Sequence, residues 1–152
     1  MEELETAGVA ALTIEDTDLP QPFGAVGTTQ VLSIDEGVGK MRAALSGRQD
    51  PAMVIAARTS AATINGLDDA IARGKAYQEV GVDAIFFTGI TEDHQVQAVS
   101  SALSVPIFLG GTGTGILGDR TFLAKNGVRI SLQGHHPFMA SIQAIYETLE
   151  SL

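Results

Sequence analysis

The sequence predicts an α/β fold in which parallel strands alternate with helices. Three observations carry this. Five short apolar runs recur along the 152 residues, each ending in polar or glycine-rich residues and then passing into a helix-like stretch. The runs are nearly uniformly apolar rather than alternating, as in strands covered on both faces. Hydrophobic residues make up 45% and charged residues 18%, with 17 glycines, which suits a compact α/β chain and argues against disorder. Eight such units close into a barrel of about 250 residues. This chain has room for about five, so the expectation is a partial (β/α)8 barrel. Residues 1–152 would form one domain, the back portion of such a barrel, starting after its front.

The opening Met1 to Gly8 reads as the last turns of a helix, with Gly8 near its C-cap. The first strand is Val9-Ala-Ala-Leu-Thr-Ile14, ending at Glu15-Asp16. Residues 17 to 34 carry Pro20, Pro22, Gly24 and Gly27. That loop is long for a compact domain, as lids and binding loops are. Asp35-Glu36 opens a helix to about Leu45, with acids at its positive end. The second strand, Ala52-Met-Val-Ile-Ala-Ala57, ends at Arg58-Thr59. A helix over about Leu67 to Val80 follows, with Asp68-Asp69 in its first turn and Gly81 at its end.

The third strand, Ala84-Ile-Phe-Phe87, precedes a helix from about Glu92 to Leu103. The fourth, Pro106-Ile-Phe-Leu109, enters the glycine cluster Gly110 to Gly118 and then a short helix up to Gly127. The fifth, Val128-Arg-Ile-Ser-Leu132, ends at Gly134-His135-His136, and Pro137 opens the last helix, to about Leu149.

Composition also excludes. The formal charge of −9, with no lysine/arginine cluster, repels phosphate backbones, so nucleic acid is not an expected partner. No apolar run approaches the ~20 residues that span a bilayer, so no membrane is expected. The first six residues hold three glutamates and no lysine or arginine, unlike a signal peptide. Zero cysteines exclude a disulfide framework, a thiolate zinc site and a cysteine nucleophile. The expected location is the cytoplasm.

Strand ends on one face of a barrel carry its chemistry. Arg58 is the sharpest candidate there, because its planar fork matches a carboxylate or phosphate through two hydrogen bonds. The competing reading is a surface arginine paired with an acidic neighbour. Glu15 and Asp16 are adjacent on a strand, so only one can aim at the barrel axis. That one could hold a metal-bound water or act as an acid/base, or could simply cap a loop or helix. His135 could hydrogen-bond substrate or move a proton, or could cap the last helix. His94 reads as surface. Gly113-Thr-Gly-Ile-Leu-Gly118 matches G-x-G-x-x-G, but the acidic residue expected about 20 positions later is missing, where Leu132-Gln133-Gly134 stands. A loop, or an anion site of backbone N–H groups, is the better reading.

These residues together carry a resemblance. The stretch Ala7-Gly-Val-Ala-Ala-Leu-Thr-Ile-Glu-Asp-Thr-Asp-Leu-Pro-Gln-Pro-Phe-Gly24 resembles the isocitrate lyase/phosphoenolpyruvate mutase superfamily, most closely its oxaloacetate decarboxylase branch. The likeness continues through Glu36-Gly-Val-Gly-Lys-Met-Arg-Ala-Ala44, Ile55-Ala-Ala-Arg-Thr59, Ala76-Tyr-Gln-Glu-Val-Gly81, Asn126-Gly-Val-Arg129 and Gly134-His135. It corresponds to the fourth strand through the eighth helix of that family's TIM barrel.

The resemblance implies Mg²⁺ at the barrel mouth, chelated by a small α-keto acid whose decarboxylation leaves a metal-stabilised enolate. By the same likeness Glu15 is the acid near the metal's water shell, Arg58 grips substrate carboxylate, and His135 marks the decarboxylase branch. Thr59 and Gly134 are expected to add substrate contacts, and residues 17–34 to form a gating loop. The family's metal-binding aspartates lie in an Asp-x-Asp-x-Gly-Tyr-Gly motif that does not occur here. The expectation is a lyase-type domain inactive as this chain alone. The alternative is a non-enzymatic, self-associating or anion-binding barrel remnant. Either way, five barrel strands leave open edges and an open apolar interior, so a homodimer or higher oligomer is expected.

Overall fold

A computed structural model of the chain describes residues 1–20, 29–110 and 119–152. The elements run α1 (Glu2–Thr6), β1 (Ala11–Glu15), α2 (Ile34–Ser46), β2 (Val54–Thr59), α3 (Ala61–Ile64), α4 (Leu67–Val80), β3 (Ala84–Thr88), α5 (Asp93–Ala102), β4 (Ile107–Gly110), α6 (Arg120–Lys125), β5 (Val128–Leu132) and α7 (His136–Glu150). The strands form one five-stranded sheet in the order β1-β2-β3-β4-β5, every pair parallel. Sequential neighbours lie side by side, as in a barrel wall.

Sequence signals place most ends. Ser33 and Glu36 form a reciprocal capping box that starts α2. Gly81 stops α4 in the left-handed conformation, at φ 102°. The second strand sits two residues later than the apolar run suggested, because Arg58 and Thr59 continue its ladder with β3. The short α3, not expected from sequence, turns the chain directly after β2. At the far end, Pro137 lies in the first turn of α7.

The two faces of the sheet differ. Alternation along each strand sends Ile55, Ala57, Thr59, Ile85, Phe87, Ile107 and Leu109 to the outer face, where all are buried against the helices. Burying each large side chain of this set contributes about 1.5–3 kcal/mol.

The inner face reads across the register as Glu15, Arg58, Phe86, Phe108 and Ile130. Ser60 follows two residues after Arg58, and the next layer pairs Thr88 with Gly110 and Leu132. On this face Ile130 and Leu132 remain 43% and 46% exposed, which marks it as uncovered on the β5 side.

Along α7, Phe138, Met139, Ile142, Ile145, Tyr146 and Leu149 are all exposed, and no residue of the helix is buried. Among the described residues no helix is long and apolar enough to cross a membrane.

Candidate functional site

The C-terminal ends of β1 and β2 bring two of the expected residues together. Glu15 and Arg58 are register partners, and the Arg58 Nε lies 3.6 Å from Glu15 Oε2. At 29% and 36% exposure the pair is open to solvent, so it adds little stability but remains reachable by a ligand. Both readings of Arg58 therefore meet in one arrangement: it has an acidic neighbour, yet no hydrogen bond joins them. Among the described residues the buried Arg58 Nε has no hydrogen-bond partner. Its guanidinium carbon sits 5.2 Å from the centre of the Phe86 ring, a cation–π contact.

Glu15 is oriented from two sides. The Thr17 hydroxyl donates to its Oε1 at 2.5 Å, and Lys40 Nζ donates to its backbone carbonyl at 2.5 Å. Asp16 takes the opposite face, as strand alternation requires, and is wholly buried. Of the two adjacent acids, Glu15 is the one on the inner face.

Thr59 turns away from this surface. Its side chain is fully buried on the outer face, and its hydroxyl accepts the Ala61 N–H at 3.2 Å. The reason is again alternation: Arg58 inward places Thr59 outward. The inner position goes to Ser60, which sequence reasoning passed over. Its hydroxyl accepts from the Thr88 hydroxyl at 2.8 Å. A cleft of about 470 Å³ opens there, lined by Thr29, Ser60, Thr63, Ile64 and Thr88. Spacing of two from Arg58 is the signal that could have found Ser60.

His135 and Gly134 stand at the same end of the sheet but not in contact with the pair. Gly134 takes φ 58°, the left-handed turn out of β5. His135 is the N-cap residue of α7 and makes no capping hydrogen bond with its side chain, so the capping role is not what the imidazole does. From β2 to β5 is three strand spacings, roughly 14 Å along the sheet. His94 is a surface residue, its side chain 71% exposed. The motif Gly113 to Gly118 lies outside the described residues, as do residues 21–28 of the expected gating loop.

The described ends of that loop are tied together. Thr17 and Val31 form an antiparallel bridge, and the Asp18 N–H donates to the Gln30 carbonyl at 2.9 Å.

Among the described residues no cluster of three or more His, Asp or Glu could hold a metal ion. Mg²⁺ is held by carboxylates together with waters and ligand oxygens. On the described inner-face positions Glu15 is the single carboxylate, and it already accepts from Thr17 and faces the Arg58 charge. These residues do not by themselves fit a resident Mg²⁺.

The chain as a whole is similar to known proteins. The family description "Phosphoenolpyruvate phosphomutase" matches residues 1–152. An oxaloacetate decarboxylase of Bradyrhizobium sp. (strain BTAi1 / ATCC BAA-1182) is 53% identical over 152 residues, covering 100% of this chain and 52% of that protein. Among solved structures, oxaloacetate acetylhydrolase in complex with 3,3-difluorooxalacetate superposes with TM-score 0.80 at 28% identity, over 97% of this chain and 52% of that one. Phosphonopyruvate hydrolase in complex with oxalate and Mg²⁺ superposes with TM-score 0.77 at 30% identity, again over 97% and 52%. The chain thus spans about half the length of the curated relatives it matches.

Proposed function

Because the chain belongs to the phosphoenolpyruvate phosphomutase family, we propose that it carries the carboxylate-gripping wall of a lyase that removes CO2 from a small α-keto dicarboxylic acid such as oxaloacetate. One observation carries this reading: at the C-terminal end of β2 the Arg58 guanidinium lies over Phe86 beside Glu15 and stays partly open to solvent. A planar dicarboxylic acid supplies acceptors for such a fork. The relatives that bind oxalate and difluorooxaloacetate support the ligand class.

In this reading Arg58 binds one carboxylate and orients the substrate. Glu15 holds a water next to it, steadied by Thr17. The Ser60 and Thr88 hydroxyls offer neutral hydrogen bonds to the substrate's remaining oxygens, and the backbone at Gly134 adds a contact on the β5 side. Loss of CO2 from a β-keto acid leaves an enolate that must take up a proton, and His135 on the rim is the group for moving it. Residues 17–34, anchored at both described ends, are the segment that would close over the mouth and exclude water. Mg²⁺, when bound in such enzymes, stabilises the enolate charge. The residues described here do not hold it, and no step above runs through it.

The expected turnover of this chain alone is therefore at the metal-only background. The assay is pyruvate formation from oxaloacetate with Mg²⁺. Turnover well above background that disappears in Arg58→Ala would contradict the expected inactivity.

A second reading, the non-enzymatic and self-associating one, is favoured by a different observation. The apolar side chains of α7 and Ile130 and Leu132 on the inner face are exposed, and exposed apolar patches are the surfaces through which chains associate. The occupant proposed for it is a second copy of this chain.

A further inference from the structure

The most completely buried polar cluster in the described structure is one the site does not use directly. Asp16 follows Glu15 and points to the opposite face, where its Oδ2 accepts from Tyr77 Oη at 2.7 Å and from Arg73 Nη1 at 3.1 Å. Arg73 reaches two further groups from α4: the Leu32 carbonyl at 2.8 Å and Asp69 Oδ2 at 2.9 Å. Asp16 and Arg73 are 0% and 4% exposed. The backbone of Asp16 is a junction as well. Its N–H donates to the Arg58 carbonyl at 3.1 Å, and its carbonyl accepts from the Leu32 N–H at 2.8 Å. One residue thus ties the end of β1 to the end of β2 and to the returning end of the 17–34 segment. Space for this is reserved in α2, where a Cβ on Gly37 would stand 2.2 Å from the Tyr77 hydroxyl oxygen.

We propose that Arg73, acting with Tyr77 through Asp16, is a positioning residue for the Glu15–Arg58 site: it fixes the rotation of the last turn of β1 and hence the spacing of the two inner-face groups, without touching a ligand. Adjacent residues on a strand rotate together, so a displaced Asp16 carboxylate swings Glu15 off Arg58. The fork of Arg73 holds Asp16, Leu32 and Asp69 at once, which the three donors of a lysine on a flexible stem cannot reproduce. The inference rests on the reading that Glu15 and Arg58 form the anion site.

The test uses the whole 152-residue chain, ¹⁵N-labelled, as parent, Arg73→Lys and Tyr77→Phe. Amide exchange and the Arg58 Nε–H signal are read by NMR, and oxalate is titrated in. In both variants the amides of Asp16 and Leu32 are expected to exchange about tenfold faster while those of Ile85 and Ile107 in the sheet stay at parent rates. The Arg58 Nε–H signal shifts, and oxalate binds about tenfold more weakly. Tyr77→Phe removes a single oxygen and keeps the test decisive if Arg73→Lys does not fold. Faster exchange spread evenly over all strands would mean a purely structural cluster and overturn the proposal. So would an Arg58 Nε–H signal that stays in place. A parent chain that binds no oxalate would overturn the anion-site reading instead, and the Arg58 signal would still decide whether Arg73 sets the geometry.

Discussion

Phe86 sets the position of the Arg58 guanidinium, and Gly110 sets the position of Phe86. An added Cβ at Gly110 would stand 2.6 Å from the Phe86 ring, inside contact distance. The ring therefore occupies space that only a glycine at this position of β4 leaves free. Gly110→Ala should displace the ring, cost about 1–3 kcal/mol of stability through overpacking, and weaken anion binding at Arg58 at the same time. Urea unfolding and an oxalate titration on the same variant check both halves. Thr59 teaches the complementary lesson: its place next to Arg58 in sequence puts it on the opposite side of the sheet, where it braces α3.

At the scale of elements, α4 carries the stripe Asp69, Arg73 and Tyr77 at a spacing of four; Arg73 and Tyr77 reach Asp16 at the end of β1, and Asp69 holds Arg73. Burial alone would raise the Asp69 carboxyl, but the hydrogen bonds from Arg73 and Asn65 and the Arg73 charge outweigh it and hold the group below the usual carboxylate range. A carboxyl depressed in the folded state contributes stability above its unfolded pKa and loses it as pH falls through the folded value. Asp69→Asn is therefore expected to be less stable than the parent by about 1 kcal/mol at pH 7. That deficit should close as pH falls through and below the usual carboxylate range. Thermal unfolding across that range measures it, and a deficit independent of pH would contradict the assignment. Arg73 itself is pushed further from deprotonation: burial opposes its charge, but hydrogen bonds to Asp69, Tyr77 and Asp16 prevail.

The same elements show what the sequence makes legible. Uniform apolar runs reveal five strands, but only the inner ones, β2 to β4, are buried as such runs imply; the edge strands β1 and β5 stay largely open, because among the described residues nothing covers their inner faces. Gly81 and Pro137 mark helix ends, because both signals are local. Arg58 and Glu15 stand out as charges at the ends of apolar runs. Ser60, Thr88 and the Asp16 junction do not stand out, since their roles follow from register between strands and from a contact 57 residues apart in the chain.

For the whole molecule, the sheet has a helix-covered outer face and an inner face whose β5 side is bare. The helix that follows, α7, presents Phe138, Ile142, Ile145 and Tyr146 to solvent. If a second copy covers these surfaces, light scattering after size exclusion should give twice the 15.8 kDa chain mass or more at micromolar concentration. Ile142→Asp combined with Ile145→Asp should shift the population toward monomer without loss of the sheet's circular dichroism. A well-folded monomer of the parent chain would contradict self-association.

Whether the end of β2 grips a small dicarboxylate decides what this chain does. Oxalate titrated into the ¹⁵N-labelled parent chain reads this most directly. Shifts are expected to concentrate at Glu15, Thr17, Arg58, Ser60 and Thr88, and to vanish in Arg58→Gln while the spectrum of the sheet is kept. Shifts scattered elsewhere, or a titration unchanged by Arg58→Gln, would contradict it.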